Sequence, residues 1–250
     1  MKEEFDYSPI AKEIGWNFDK VKYEKVSDSG FNYYITVLKE INEKTKLLDI
    51  GCGCGKKSIK YFSLSSEVVM LDNKKEMIKK AKENAKTYYG DTKKFTFLVG
   101  DKNERLDYPD EYFDLIVSRH CGANMDEVFR LLKPKGVFIS EDYDEDDCLS
   151  LKEHFGYGQG YENYKNNIRE KRIVLDKSIN LNFSKCELFN FEETEFYKTE
   201  NDLKYLLYHT PILNCFEKKD EAKLSTFIKE NVEEKGIKLT RKLYAIRLEK

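Results

Sequence analysis

The sequence lacks several features that would narrow its role quickly. None of its six cysteines, at 52, 54, 121, 148, 186 and 215, forms a Cys-x-x-Cys pair, so neither a zinc ribbon nor a disulfide framework is indicated and reduced thiols are expected. Charge of one sign is missing too. Charged residues make up 36% of the chain, yet the formal net charge is −2, which leaves no global basic field to hold a polyanion. No apolar run approaches the roughly twenty residues of a membrane span. The opening MKEEFDYSPI has no apolar signal segment, so a cytoplasmic protein without a membrane partner is expected. No low-complexity linker or repeat divides the 250 residues, and 40% hydrophobic content suffices for one compact α/β unit with additions.

What is present begins with LLDIGCGCGKKSIKYF, residues 47–62. A brief apolar run, a turn with three alternate glycines and a helix-compatible segment read as strand, tight turn and helix. Alternate glycines clear the Cβ atoms from one side of the turn, so a ligand can touch backbone and the amides at the helix start. A phosphate-binding P-loop is disfavoured because Gly55-Lys56 is followed by Lys57, with Ser58 one residue late. A dinucleotide fingerprint is disfavoured because its last glycine falls on Lys56 or Ser58. The pattern D-x-G-x-G-x-G, by contrast, is matched in full by Asp49-Ile50-Gly51-Cys52-Gly53-Cys54-Gly55.

In these residues the chain resembles the class I S-adenosylmethionine-dependent methyltransferases, over about residues 45–141. The resemblance implies a doubly wound, seven-stranded, mostly parallel sheet of Rossmann-like kind, with N-terminal helices and a helical insertion between the last two strands. It also implies S-adenosylmethionine as cofactor and S-adenosylhomocysteine as product. A doubly wound sheet places its ligand at the carboxyl ends of successive strands. The second strand, 67–71, ends in Asp72-Asn73, about twenty residues past the glycines, where an acid suits two ribose hydroxyls; Asp72 also reads simply as a helix N-terminal acid. The third, 95–99, ends in Gly100-Asp101-Lys102, where the family presents an acid to the adenine amino group. The fourth, 113–118, ends in Ser118-Arg119, and the fifth, 137–140, follows Lys133-Pro134-Lys135-Gly136, where the family's usual wording is L-K-P-G-G. The cofactor set carried over by the resemblance is Asp49, Gly51, Cys52, Gly53, Gly55, Asp72, Asn73, Asp101, Lys102, Ser118 and Arg119.

His120, just beyond the fourth strand, is the first candidate for a catalytic base and reads otherwise as a packed histidine; His209 is a weaker candidate, and His154 reads as a surface residue. Asp142 to Glu153 places acids at positions 1, 3, 5 and 12 of a calcium-loop pattern, but Asp147 holds the position that needs glycine. An acidic, solvated loop at the mouth of the site is therefore expected, and no metal ligands are assigned.

Residues 1–45 are expected to form a helical cover, 46–150 the cofactor-binding core, and 151–250 acceptor-side helices, a lid insertion and edge strands, all within one domain. In the cover, Phe5, Tyr7, Trp16, Phe18, Tyr23, Phe31, Tyr33 and Tyr34 either screen a cationic sulfonium or pack as core. The insertion, 200–236, begins with Thr199 as a helix cap. The chain has Ser118-Arg119-His120-Cys121 where adenine amino methylation in the family brings [DN]-P-P-[YF], and it has no Pro-Cys pair for cytosine-C5 chemistry. A small-molecule acceptor is thus expected over nucleic acid. An RNA methyltransferase using basic residues around 165–177 and a non-catalytic cofactor binder stay open as alternatives.

Overall fold

The computed structural model describes residues 8–13, 18–27, 31–90, 92–214 and 216–250. Phe5, Tyr7, Trp16 and Cys215 lie outside these.

The central strands are β2 (Lys46–Ile50), β3 (Glu67–Asp72), β4 (Phe95–Val99), β5 (Phe113–Arg119) and β6 (Leu132–Tyr143). They pair in parallel in the order β4-β3-β2-β5-β6. Their apolar runs barely alternate: Leu47, Leu48, Val68, Val69, Met70, Leu115, Ile116 and Val117 are all fully buried. That is the signature of a sheet covered on both faces. One face is covered by α2 (Tyr33–Lys39), α3 (Lys56–Phe62) and α4 (Lys75–Tyr89), through Val37, Ile59, Phe62, Ala81 and Ala85. The other is covered by α5 (Met125–Leu131) and α8 (Glu170–Asn180), through Met125, Val128, Leu131, Val174 and Leu175.

Two long strands continue the sheet antiparallel: β9 (Gly236–Glu249) beside β6, then β7 (Lys185–Tyr197) beside β9. The seven strands read from the sequence are all present, but the described sheet has nine. One addition is β1 (Tyr23–Ser27), which pairs with the outer edge of β7 inside the region expected to be helical; the other is the short β8 (Val232–Glu233) on β9. The N-terminal cover is therefore part helix, with α1 (Ser8–Glu13) and α2, and part edge strand. Lys135 adopts φ 65° in the left-handed region where the family places glycine, so the turn keeps its geometry at a cost of about 1 kcal/mol.

Beyond β6 come α6 (Leu149–Phe155) and α7 (Tyr161–Lys165), then α8. Between β7 and β9 the insertion folds as α9 (Glu200–Tyr208), capped by the Thr199 side chain, and α10 (Glu221–Asn231). Leu203, Leu207, Leu213, Leu224 and Phe227 pack with Cys148, Leu151, Phe155 and Leu239 into a separate apolar core. This core stands behind the 156–160 loop, where the Gln159 N–H donates to the Ile212 carbonyl at 3.2 Å.

The 142–153 segment corrects the expectation of a solvated loop. Asp144, Glu145 and Asp147 are 8%, 3% and 3% exposed. Its acids turn to different cations on different elements: Asp144 to Lys171, Asp146 to Lys242 and Asp147 to Arg241. Each of these three is thus engaged by a cation of the chain, and among the described residues no group of acids, histidines and cysteines is placed to hold a metal ion.

Candidate active site

The glycine turn is built as the sequence requires. Gly51, Gly53 and Gly55 adopt φ of 72°, 55° and 68°, and the N–H groups of Gly51 and Cys52 both donate to the Leu71 carbonyl at the end of β3. A side chain on Gly53 would meet nothing within 4 Å, so one face of the turn is open, whereas one on Gly51 would overlap Cys121. Asp72 holds the turn from β3: its Oδ2 accepts from the Gly53 N–H and its Oδ1 from the Lys74 N–H, each at 2.9 Å. Each oxygen retains a lone pair for another donor. Asp49 lies beneath, 5% exposed, accepting from the Ser58 hydroxyl. Burial, with the Asp72 charge adding to it against the Ser58 hydrogen bond, pushes its carboxyl up to about 7. Burial also pushes the Cys52 thiol up, which opposes a metal-binding thiolate there.

The remaining cofactor candidates gather at neighbouring strand ends. Asp101 follows β4 and accepts from the Asn103 N–H at 2.8 Å. Asn73 is exposed beside Asp72. Lys102 turns away from this rim and donates to the Cys121 carbonyl. The fully buried Ser118 donates to the Gly122 carbonyl at 2.9 Å. Both thus brace the 119–122 turn. Arg119, at its start, pairs with Glu141 at 2.7 Å and lies 5.5 Å from the Tyr34 ring centre. Tyr33 is buried with a hydroxyl that has no hydrogen-bond partner, while Phe31 stacks on Phe189 and Phe191 as packing.

The same turn carries His120, held at φ 57°, a strained conformation for a side chain of its size and one found disproportionately at functional sites. Its N–H donates to the Glu141 carbonyl at 2.8 Å and its ring stacks on Tyr143 with centroids 4.2 Å apart. Nδ1 is buried without a hydrogen-bond partner, and Nε2 is 3.7 Å from Glu141 Oε1. Burial, helped by Arg119, Arg241 and Lys25, lowers its pKa well below the ordinary value, so the ring is neutral at physiological pH. His154 and His209 sit elsewhere, on the Lys223 and Tyr205 carbonyls.

Next to His120, where β5 and β6 end, is a cavity of about 100 Å³ lined by Asp142, Tyr143, Asp144, Glu145, Asp147, Lys152, Gln159, Gly160 and Glu170. The Gly122 N–H donates to Asp142, and Cys121 packs on Gly51, so a single turn separates cavity from glycine loop. Sequence reasoning placed the acids of 142–153 at the mouth of the site, as a solvated loop, and missed Lys152, Gln159, Gly160 and Glu170 as lining residues.

Because Gly51 sits against Cys121 with a left-handed φ, Gly51→Ala is expected to cost at least about 1–2 kcal/mol and to displace the 119–122 turn. Urea denaturation should show the loss, and adding Cys121→Gly should recover part of it. An unchanged midpoint in Gly51→Ala would contradict the packing described.

An α/β sheet of this order, with a glycine turn and acids at consecutive strand ends, has the crevice in which open α/β folds receive a ligand. A family model described as a methyltransferase domain matches residues 41–208, and the chain belongs to that family. That family is the S-adenosylmethionine-dependent methyltransferases. Among its relatives, the sterol 24-C-methyltransferase of Candida albicans is 28% identical over 155 residues, 53% of this chain and 40% of that protein. The uncharacterized methyltransferase YcgJ of Bacillus subtilis is 25% identical over 180 residues, 69% of this chain and 66% of that protein. The chain thus spans less than half the length of the Candida enzyme. Crystal structures share the fold: YcgJ at a TM-score of 0.57 and 21% identity, covering 87% of this chain and 97% of that one, and a Bacillus halodurans putative methyltransferase at 0.60 and 16%, covering 86% and 96%.

The residues fit the cofactor. The open face at Gly53 leaves room along the backbone, Asp72 retains acceptor capacity, and Asp49 and Asp72 place two carboxyl groups beside the turn, a set that would suit a cationic donor. Asp49 is neutral below about pH 7 and anionic above it. A cation favours the ionised form, so donor affinity should rise with pH through about 7, approaching 10-fold per unit below that point. Calorimetric affinities across this range check it, and a flat profile would remove Asp49 from the binding charge.

Proposed function

We propose that the methyl group is transferred to a small molecule seated in the cavity beside His120, by direct in-line displacement. The observation that carries this is the cavity's position, one turn away from the glycine loop and lined by His120, whose Nδ1 has no hydrogen-bond partner. Bound S-adenosylmethionine supplies an electrophilic methyl on a sulfonium. The chain's contribution is position, charge and exclusion of water, and alignment alone contributes ~7–11 kcal/mol in the best intramolecular models.

The glycine loop, Asp49, Asp72 and Asp101 bind and orient the donor in this reading, with Asn73 and Cys52 at the rim. Lys102, Ser118 and Arg119 act on it through the turn they brace. His120, neutral and buried on Tyr143, takes a proton from the attacking atom of the acceptor.

The Candida albicans relative is named for a sterol, which supports a small acceptor. The basic segment 165–177 gives little support to an RNA substrate. Lys165 pairs with Glu162, Lys171 with Asp144 and Lys177 with Asp126, and Arg169 lies 5.3 Å from the Tyr164 ring centre. Among the described residues, no helix is long and apolar enough to cross a membrane. With a radiolabelled donor methyl, label is expected in the small-molecule fraction of a cell extract. Label confined to RNA or protein overturns the reading, and binding with no transfer at all marks a non-catalytic binder.

A further inference from the structure

The cavity walls carry five carboxyl groups, on Asp142, Asp144, Glu145, Asp147 and Glu170, against a single lysine, Lys152. Cations from outside neutralise two of them. Arg241 donates to both oxygens of Asp147 at 2.9 and 3.2 Å, and Lys171 pairs with Asp144. Lys152 is 2% exposed, and burial lowers its pKa while the Asp147 charge favours the cation.

Glu145 differs from the others. It is 3% exposed, its Oε1 accepts the Glu170 N–H and its carboxyl shares a hydrogen bond with that of Asp144, while its Oε2 is buried with no N–H or hydroxyl donor bonded to it. The nearest guanidinium nitrogen, Arg169 Nε, is 4.0 Å away, beyond hydrogen-bond reach. A buried carboxyl oxygen left unpaired carries a desolvation cost that a bound donor would relieve. On the side nearest the glycine loop, Asp142 is held by the Gly122 N–H, and Lys102, the cation acting on it, is already bonded to the Cys121 carbonyl.

Resting on the reading of this cavity as the acceptor site, we infer that the acceptor is a small amine, bound as its ammonium by Glu145 Oε2 and Asp142. An anionic acceptor would meet uncompensated carboxylates, and a neutral one would leave Oε2 with a weaker donor. Burial pushes Asp142 up to about 7, so it can exchange a proton at neutral pH, and burial together with the neighbouring Asp144 carboxyl raises Glu145 above the ordinary carboxylate range.

The transfer balances on these groups. The ammonium gives one proton to Asp142 or His120, and the freed nitrogen lone pair attacks the methyl carbon. The N–C bond forms as the S–C bond breaks, and that bond's electron pair remains on sulfur as a neutral thioether. The product is a methylated ammonium that keeps its positive charge among the same carboxylates.

Three four-carbon probes of matched shape test this: n-butylamine, n-butanol and butyrate, titrated calorimetrically into the full chain with and without saturating S-adenosylhomocysteine. The amine should bind at least about 10-fold tighter than either partner, a difference of about 1.4 kcal/mol. Glu145→Gln, and independently Asp142→Asn, should remove that preference while S-adenosylhomocysteine affinity stays unchanged. n-Butylamine should also be methylated with release of S-adenosylhomocysteine. Equal affinity for the three probes, or preference for the alcohol or the acid, overturns the inference even if the cofactor binds. An amine preference without methyl transfer from bound S-adenosylmethionine overturns the acceptor role. Absence of cofactor binding instead strikes the reading of the glycine loop, with the amine preference still measured on the chain alone.

Discussion

Arg241→Met is expected to destabilise the protein by about 3–5 kcal/mol, the cost of leaving buried carboxylates without their cation. Arg241 is 5% exposed and bridges two elements, donating to Asp147 beyond β6 and, at 3.2 Å, to Glu195 Oε2 on β7. Glu195 also accepts from the Tyr197 hydroxyl at 2.5 Å, and the guanidinium lies 4.4 Å from the centre of the Tyr143 ring on which His120 stacks. The substitution thus strips charge balance from the core and support from the candidate base together. Urea denaturation should show a lower midpoint with the slope unchanged. The triple variant Arg241→Met, Asp147→Asn, Glu195→Gln should be more stable than Arg241→Met alone, because the penalty arises from the unpaired acids. A midpoint equal to that of the native chain would mean the network is solvated and the burial described is wrong.

His120→Ala is expected to lower kcat by about 10²–10⁴ with donor affinity retained. The ring is positioned by the 119–122 turn, which Ser118 and Lys102 hold from below, so its removal leaves the glycine loop intact. Because its pKa lies well below the ordinary value, the acid limb of kcat should fall below about pH 6.5. The base must be unprotonated, so activity is lost as pH falls through that depressed value. The limb set by Asp49 near 7 should appear in kcat/KM instead, since it governs donor capture by the free enzyme. If His120→Ala turns over at the native rate, the base assignment is gone.

The parallel core was legible because each strand end carries a local mark: the glycines after β2, Asp72 after β3, Gly100-Asp101 after β4 and Lys135-Gly136 before the buried run of β6. Strand β1 left no such mark. All five of its residues are exposed, so no alternation appears, and it exists because the edge of β7 offers unpaired backbone groups. The acidic run from Asp142 was read as solvated because its own composition says so. Its burial depends on cations 27, 94 and 96 residues away, on Lys171, Arg241 and Lys242. No local pattern announces such long-range pairing, and the cavity it lines was hidden for the same reason. The cofactor residues divide similarly. Spacing identified the positions, but not that Lys102 and Ser118 would spend their polar atoms on the 119–122 turn.

The central claim, that this glycine turn and Asp72 hold S-adenosylmethionine, is tested most directly by calorimetric titration with S-adenosylmethionine and S-adenosylhomocysteine. The measurement is made on the native chain and on Asp72→Ala. Both ligands should bind the native chain, and the variant should bind each roughly 10- to 100-fold more weakly, as expected for lost hydrogen bonds to a charged acceptor. Failure of the native, folded protein to bind either ligand, or equal affinity in the variant, would contradict it.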